Sequence, residues 1–187
     1  MKESRKTQYT RRALADGMVE LMKRKPFDKV TVKELCEYAD INRSTFYMHY
    51  EDIYALLHTI EADTLAWIQE VLGDVTGKLQ ENRETAVRSL ERFFECMIDN
   101  SKYLRVLMSE QGSLTFQRQI FYSACQMCDL SPIRNKLTPP FDEDMRLIFV
   151  VNGSVGVVRS WLKNGLKQSP REMAEMIYDM TLLPLEA

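Results

Sequence analysis

Apolar residues recur along this chain three and four positions apart, and no stretch keeps a strict two-residue alternation for long. The spacing predicts a succession of helices with short breaks. The first runs from Ser4 or Thr7 to Arg24, with Leu14, Met18 and Leu21 on one side, and Pro26 ends it. Thr31-Val32-Lys33-Glu34 has the form of a capping box and opens a second helix that buries Val32, Leu35, Cys36 and Ala39 and stops near Asp40. A turn of three residues, Asp40-Ile41-Asn42, leads to a third helix from Arg43 to about Tyr50, with Asn42 as its N-cap. The fourth, from about Asp52 to Leu72, carries the strongest periodic signal: Ile53, Leu56, Leu57, Ile60, Thr64, Trp67, Ile68 and Val71. Gly73 to Gly77 reads as the break between two units, residues 1–52 with a connecting helix 52–72, and residues 73–187. Further helices are expected near 83–99, 102–110, 114–128, 141–163 and 170–181, the last opened by Ser169-Pro170-Arg171-Glu172. The fold class is all-α, with about nine helices.

Composition supports this reading and narrows the function. Seven Gly and six Pro in 187 residues are too few for a turn-rich β fold. No apolar run is long enough to cross a bilayer, and the charged start, Met1 to Arg12, lacks the apolar centre of a secretory signal, so a cytoplasmic location is expected. The net charge of −2 hides an asymmetry. Residues 1–50 hold 11 Lys and Arg against 7 Asp and Glu, whereas residues 51–187 hold 14 against 20. A basic binding module on an acidic body is one explanation, and it points to double-stranded DNA as a partner. The other is ordinary variation among helix surfaces.

A short helix, a three-residue turn and a second short helix, flanked by longer amphipathic helices, form the layout of a helix-turn-helix. A helix that enters the major groove needs an exposed face of short or hydrogen-bonding side chains, without carboxylates to meet the phosphates. The run Asn42-Arg43-Ser44-Thr45-Phe46-Tyr47-Met48-His49-Tyr50 contains no acid. Phe46 and Tyr50, four apart, can pack inward while Arg43, Ser44, Tyr47 and His49 face out.

Residues 10–57 resemble the N-terminal domain of the TetR family of transcriptional regulators. The resemblance rests on Thr31-Val32, Ala39-Asp40-Ile41-Asn42, Ser44-Thr45-Phe46-Tyr47, His49-Tyr50 and Leu56-Leu57, which match in spacing as well as type. Residues 93–181 are more weakly similar to the C-terminal domain of a Firmicutes-type branch that includes dihydroxyacetone-kinase regulators, with Trp161-Leu162-Lys163-Asn164-Gly165 as the best marker. The chain departs from the family pattern in two places. Asp40 stands where Gly is usual, a substitution Asp tolerates because it enters the left-handed region at small cost. Ile53-Tyr54 replace a Lys-Glu pair whose Lys touches a phosphate, and Glu51 and Asp52 lie beside them, which implies weaker affinity or dependence on both subunits of a dimer.

The resemblance implies a homodimer that binds a palindromic operator, usually as a repressor, and responds to a small-molecule effector. Arg43 would read guanine; Asn42, Ser44 and Thr45 would meet a base edge or a phosphate; Tyr47, His49, Thr31 and Arg12 would meet phosphates or add general attraction. The body would pair helices 141–163 and 170–181 with their symmetry mates as a four-helix bundle. Met145, Ile148, Gly153, Gly156, Trp161, Met173 and Ile177 are the interface candidates. Trp67, Phe93, Met97, Tyr103, Phe121, Tyr122, Phe149 and Asn152 are candidates for an effector pocket, although for any one of them a place in the plain core is the better reading. An alternative within the same branch is control by a protein partner.

Cys125-Gln126-Met127-Cys128 has the spacing of a thiol redox motif, but it falls at the end of an expected helix with no strand before it. The two histidines, His49 and His58, lie far from it in sequence, so no zinc set is expected. No phosphate loop, nucleophile elbow or metal-ligand pattern is present, so neither an enzyme nor a bound cofactor is expected.

Overall fold

The computed structural model describes residues 5–79, 81–127 and 143–181. Among them are nine α-helices and one 3-10 turn, with no strand: α1 Arg5–Met22, the turn Phe27–Lys29, α2 Val32–Ala39, α3 Arg43–Tyr47, α4 Ile53–Thr76, α5 Arg83–Asp99, α6 Ser101–Leu107, α7 Leu114–Met127, α8 Glu143–Lys163 and α9 Pro170–Thr181. None of the described helices is long and apolar enough to cross a membrane.

The N-terminal three helices close around Leu14, Met18, Leu35 and Phe46, all fully buried. Gly17 makes this possible, because a Cβ there would stand 3.1 Å from the Leu35 Cδ1 and 3.3 Å from Tyr38. Both predicted capping boxes form. The Thr31 hydroxyl accepts from the Glu34 N–H, while the Thr31 N–H donates to the Glu34 carboxylate; Ser169 and Glu172 repeat the pattern at the start of α9. Asp40 ends α2 at φ 53°, ψ 43°, a left-handed conformation that Asp enters at smaller cost than most residues.

α4 joins the two ends of the molecule. At 24 residues it is about 36 Å long. Ile53, Leu56, Leu57 and Ile60 pack toward α1–α3, and Ile68 and Val75 pack among the later helices. The buried side chains therefore form one connected cluster along α4. The helix continues past the expected stop at Leu72, because Val75 is buried and holds a further turn that Gly77 then closes.

The later helices are tied chiefly through α5 and α9. Phe94, Met97, Met173 and Tyr178 are buried between them. On the outer side, Arg171 bonds Glu175 at 2.8 Å, Glu84 at 3.0 Å and Glu91 at 3.4 Å, and Arg83 bonds Asp179 at 2.9 Å while lying over the Tyr178 ring. Trp161 on α8 meets Phe94 edge-on, and its indole N–H donates to the Gln168 carbonyl at 3.0 Å. The Trp161-to-Gly165 marker is thus a helix stop: Gly165 and Leu166 take positive φ, and the Leu166 N–H returns to the Trp161 carbonyl.

Candidate nucleic-acid interface

The turn between α2 and α3 is built by two side chains. Asp40 supplies the left-handed residue, and Asn42 caps α3 by accepting from the Ser44 N–H at 3.1 Å. α3 itself is shorter than the Arg43-to-Tyr50 expectation. It ends at Tyr47, and Met48 to Tyr50 continue as turn, with His49 and Tyr50 N–H groups both donating to the Phe46 carbonyl. Phe46, fully buried, is its anchor; the Tyr47 and Tyr50 rings pack around it at 5.4 and 5.8 Å between centroids. The Tyr50 hydroxyl accepts from the Arg11 Nε at 3.2 Å, which fixes the end of this segment to α1.

With Phe46 and Tyr50 turned inward, Asn42, Arg43, Ser44, Tyr47 and Met48 are exposed and Thr45 and His49 half-buried. Thr31 is exposed at the start of α2. Arg12 is exposed on α1, where it lines a groove against α4 and α6. A shallow hollow at the α2–α3 turn brings Arg43 together with Lys33, Glu37 and Asp40, so two acids border the acid-free surface.

Two of the hydroxyls are already engaged. Ser44 donates to the Asn42 carboxamide oxygen, leaving its lone pairs to accept from a base. The Thr31 hydroxyl donates to Glu34 at 2.8 Å, so a phosphate here would be met by the helix N-terminus rather than by that proton. Hydrogen bonds from Lys25 and from Thr31 hold the Glu34 carboxyl at about 2, well below its ordinary value. Asp52, an acid of concern beside the groove, is the N-cap of α4 and accepts from the Ala55 N–H at 2.8 Å.

Met48 is a residue that the sequence reading passed over. It is 80% exposed, an apolar side chain standing among polar ones. The available signal was its position four residues after Ser44 and next to Tyr47, on the face opposite the Phe46 anchor.

The body differs more from expectation. A cavity of about 150 Å3 lies between α4, α5, α6, α7, α8 and α9, and of the eight pocket candidates Phe93 and Met97 line it. Trp67 and Tyr103 line the separate groove beside Arg12. Phe121 is half-buried, and Tyr122, Phe149 and Asn152 are exposed, so these four are not cavity residues. Helical spacing shows that a residue is apolar-faced but not which of several neighbours that face meets. Among the interface candidates, Trp161, Met173 and Ile177 belong to the protomer's own core at 3, 1 and 8% exposure. Met145 and Ile148 are exposed, and Gly153 and Gly156 have nothing within 4 Å of where a Cβ would stand. Cys125 is in the last turns of α7, but its side chain and all of Cys128 lie outside the described residues. Among the described residues no group of three or more His, Cys, Asp or Glu could hold a metal ion.

Residues 14–60 match the profile of bacterial regulatory proteins of the tetR family, and residues 84–182 match that of a transcriptional regulator C-terminal region. The chain belongs to the TetR family. This TetR-family regulator is 23% identical over 170 residues to an uncharacterized helix-turn-helix-type transcriptional regulator, YxbF, of Bacillus subtilis; the match covers 88% of the chain but 43% of YxbF. In fold it is similar to a TetR transcriptional regulator from Streptococcus agalactiae (TM-score 0.64, 18% identity, 95 and 96% of the two chains). It is also similar to FadR of Thermus thermophilus, a repressor solved with lauroyl-CoA (TM-score 0.54, 18% identity, 92 and 93%).

Proposed function

We propose that this TetR-family regulator binds a palindromic operator as a homodimer, with α3 in the major groove, and acts as a repressor released by a small molecule. The observation that carries this reading is the exposed surface of α3 and the turn that follows it, which present Arg43, Ser44, Tyr47 and Met48 without a carboxylate of their own. Arg43 reads guanine, and Met48 supplies an apolar contact of the kind a thymine methyl accepts. Tyr47, His49 and the α2 N-terminus at Thr31 meet phosphates.

A second copy supports this arrangement in two ways. One α3 spans only a few base pairs, so two are needed for a usable site. The outer side of α8 also leaves Met145, Ile148 and Phe149 in solvent at 69, 48 and 78%, next to two glycines that permit close backbone approach, with Met180 of α9 exposed as well. That is the apolar surface a symmetric pair would cover.

The internal cavity suits a neutral, apolar effector, since Leu90, Phe93, Phe94, Met97, Val151 and Ile177 line it without a charged group. At about 150 Å3 it is smaller than the roughly 300 Å3 or more of ordinary ligand pockets, so binding requires the helices to spread. An apolar recess between helices suits a small molecule better than a protein partner, and the kinase-regulator alternative is not favoured. Selection from random duplex DNA with the full-length protein at low salt tests the reading. An enriched inverted repeat with half-sites about one helical turn apart, bound more weakly as salt rises, is the expected outcome. Absence of any enriched repeat would overturn it.

A further inference from the structure

Resting on the DNA-binding reading, we propose that the first two turns of α1 are a second DNA-contacting element. Arg5, Lys6 and Tyr9 bind backbone phosphates beyond those met by α3 and the turn after it. The surface involved is continuous with the α3 face, but it belongs to a different helix and reads no base.

The course of α1 places these residues. Its later half is tied to the body, where Lys102 of α6 lies 3.0 Å from Asp16 and 3.8 Å from Glu20, and the Tyr103 hydroxyl donates to Asp16. Its middle is tied to the reading unit, where the Arg11 Nε donates to the Tyr50 hydroxyl. α4 likewise starts at Ile53, just after Tyr50, and ends among the later helices. Both helices therefore lead from the α3 end of the molecule toward the body. The residues before Arg11 continue past Tyr50 on the side remote from the body, and Arg5 begins the helix about 9 Å further along the axis.

The side chains at that end are of the types that hold phosphates. Helical spacing puts Arg5 and Tyr9 in one row with Lys6 beside them, and all three are exposed. No carboxylate occurs from Arg5 to Ala15. Arg5 and Lys6 enter none of the ion pairs among the described residues, whereas Lys102, Arg83 and Arg171 of the body each meet a carboxylate. Arg12 marks the limit of the surface, because Asp16 follows it on the helix and Asp63 shares its groove. Tyr9 is 73% exposed, so its ring adds little to the core and its hydroxyl is free to donate. Two cations and a tyrosine hydroxyl without an acid between them complement the phosphate backbone, the part of a duplex that Arg, Lys and Tyr bind without regard to sequence.

Phosphate ethylation interference on the selected operator, with the full-length protein, tests this directly. Arg5→Ala and Tyr9→Phe should each make at least one ethylation-sensitive phosphate per half-site indifferent, while guanine methylation in the sequence read by α3 still interferes as it does with the parent. Arg5→Ala should also reduce the slope of log affinity against log salt by about 2, roughly 0.9 for each of the two copies of the residue. Arg5→Lys, which keeps the charge, should restore that slope. An unchanged melting temperature shows that the variants are folded. A parental ethylation pattern and salt slope in Arg5→Ala overturns the proposal and leaves the α3 reading standing. Loss of guanine interference in the same variant overturns it too, because α1 would then act by holding α3 in place. A parent protein that shows no interference of either kind sinks both.

Discussion

Asp40 holds a backbone conformation that most residues avoid, with φ at 53° and no glycine to relax it. A β-branched side chain there would crowd the following carbonyl at a cost of about 1–2 kcal/mol. Asp40→Val is expected to lower the unfolding free energy by that amount, and Asp40→Gly to leave it nearly unchanged; equal denaturation midpoints for the Val variant and the parent would contradict the turn geometry. Glu61 presents the reverse situation, a carboxyl buried to 5% exposure between α4 and the loop before α7. Its Oε1 lacks a hydrogen-bond partner, while its Oε2 faces the His58 Nδ1 at 3.5 Å. Burial raises its pKa, against the opposing pull of His58 and Ser113. Because the folded value is raised above the unfolded one, the carboxyl favours the fold when protonated and weakens it when ionised. Glu61→Gln should therefore raise the melting temperature at neutral pH, with the gain shrinking as pH falls toward the ordinary carboxyl range. A gain that stays constant with pH would rule out titration of Glu61 as its cause.

Much of the element pattern was readable before any coordinates, for local reasons. Thr31 with Glu34 and Ser169 with Glu172 declare helix starts through contacts three residues apart, and both boxes form. Phe46 and Tyr50 declare the inward side of α3 by their spacing, and both are buried. What the sequence could not convey was which helix meets which. Trp161, Met173 and Ile177 lie on apolar faces that fit either a neighbouring subunit or α5, and α5 takes them. Gly112 is illegible for the same reason: a Cβ there would overlap the Leu107 carbonyl at 2.0 Å, a constraint set by how the loop folds back over α6. Under the proposed function the exposed side of α8 is the surface assigned to a second copy. Phe149→Asp, on a side chain 78% exposed in the protomer, should leave the melting curve of the isolated chain almost unaltered and shift the protein to monomer in sedimentation. A dimer that persists would place the interface elsewhere.

At the scale of the whole molecule, α4 carries buried side chains at both ends, and under the proposed function this is the route by which packing changes among the later helices would reach the unit that holds α3. Tyr103 and Lys102 of α6 add a polar tie by gripping Asp16 of α1, whose carboxyl would be raised by burial yet is held below its ordinary value by those two partners. Ligands act on such a molecule only through unequal affinity for two arrangements of α3 relative to the body. All of this depends on α3 lying in the major groove with Arg43 against guanine. Methylation interference on the selected operator probes that placement directly, since the modified atom, guanine N7, is exposed in the major groove. Methylation of one guanine in each half-site should block the parent protein, while Arg43→Ala, binding more weakly, should become indifferent to it. Interference absent from both half-sites, or unchanged by the substitution, would contradict the account.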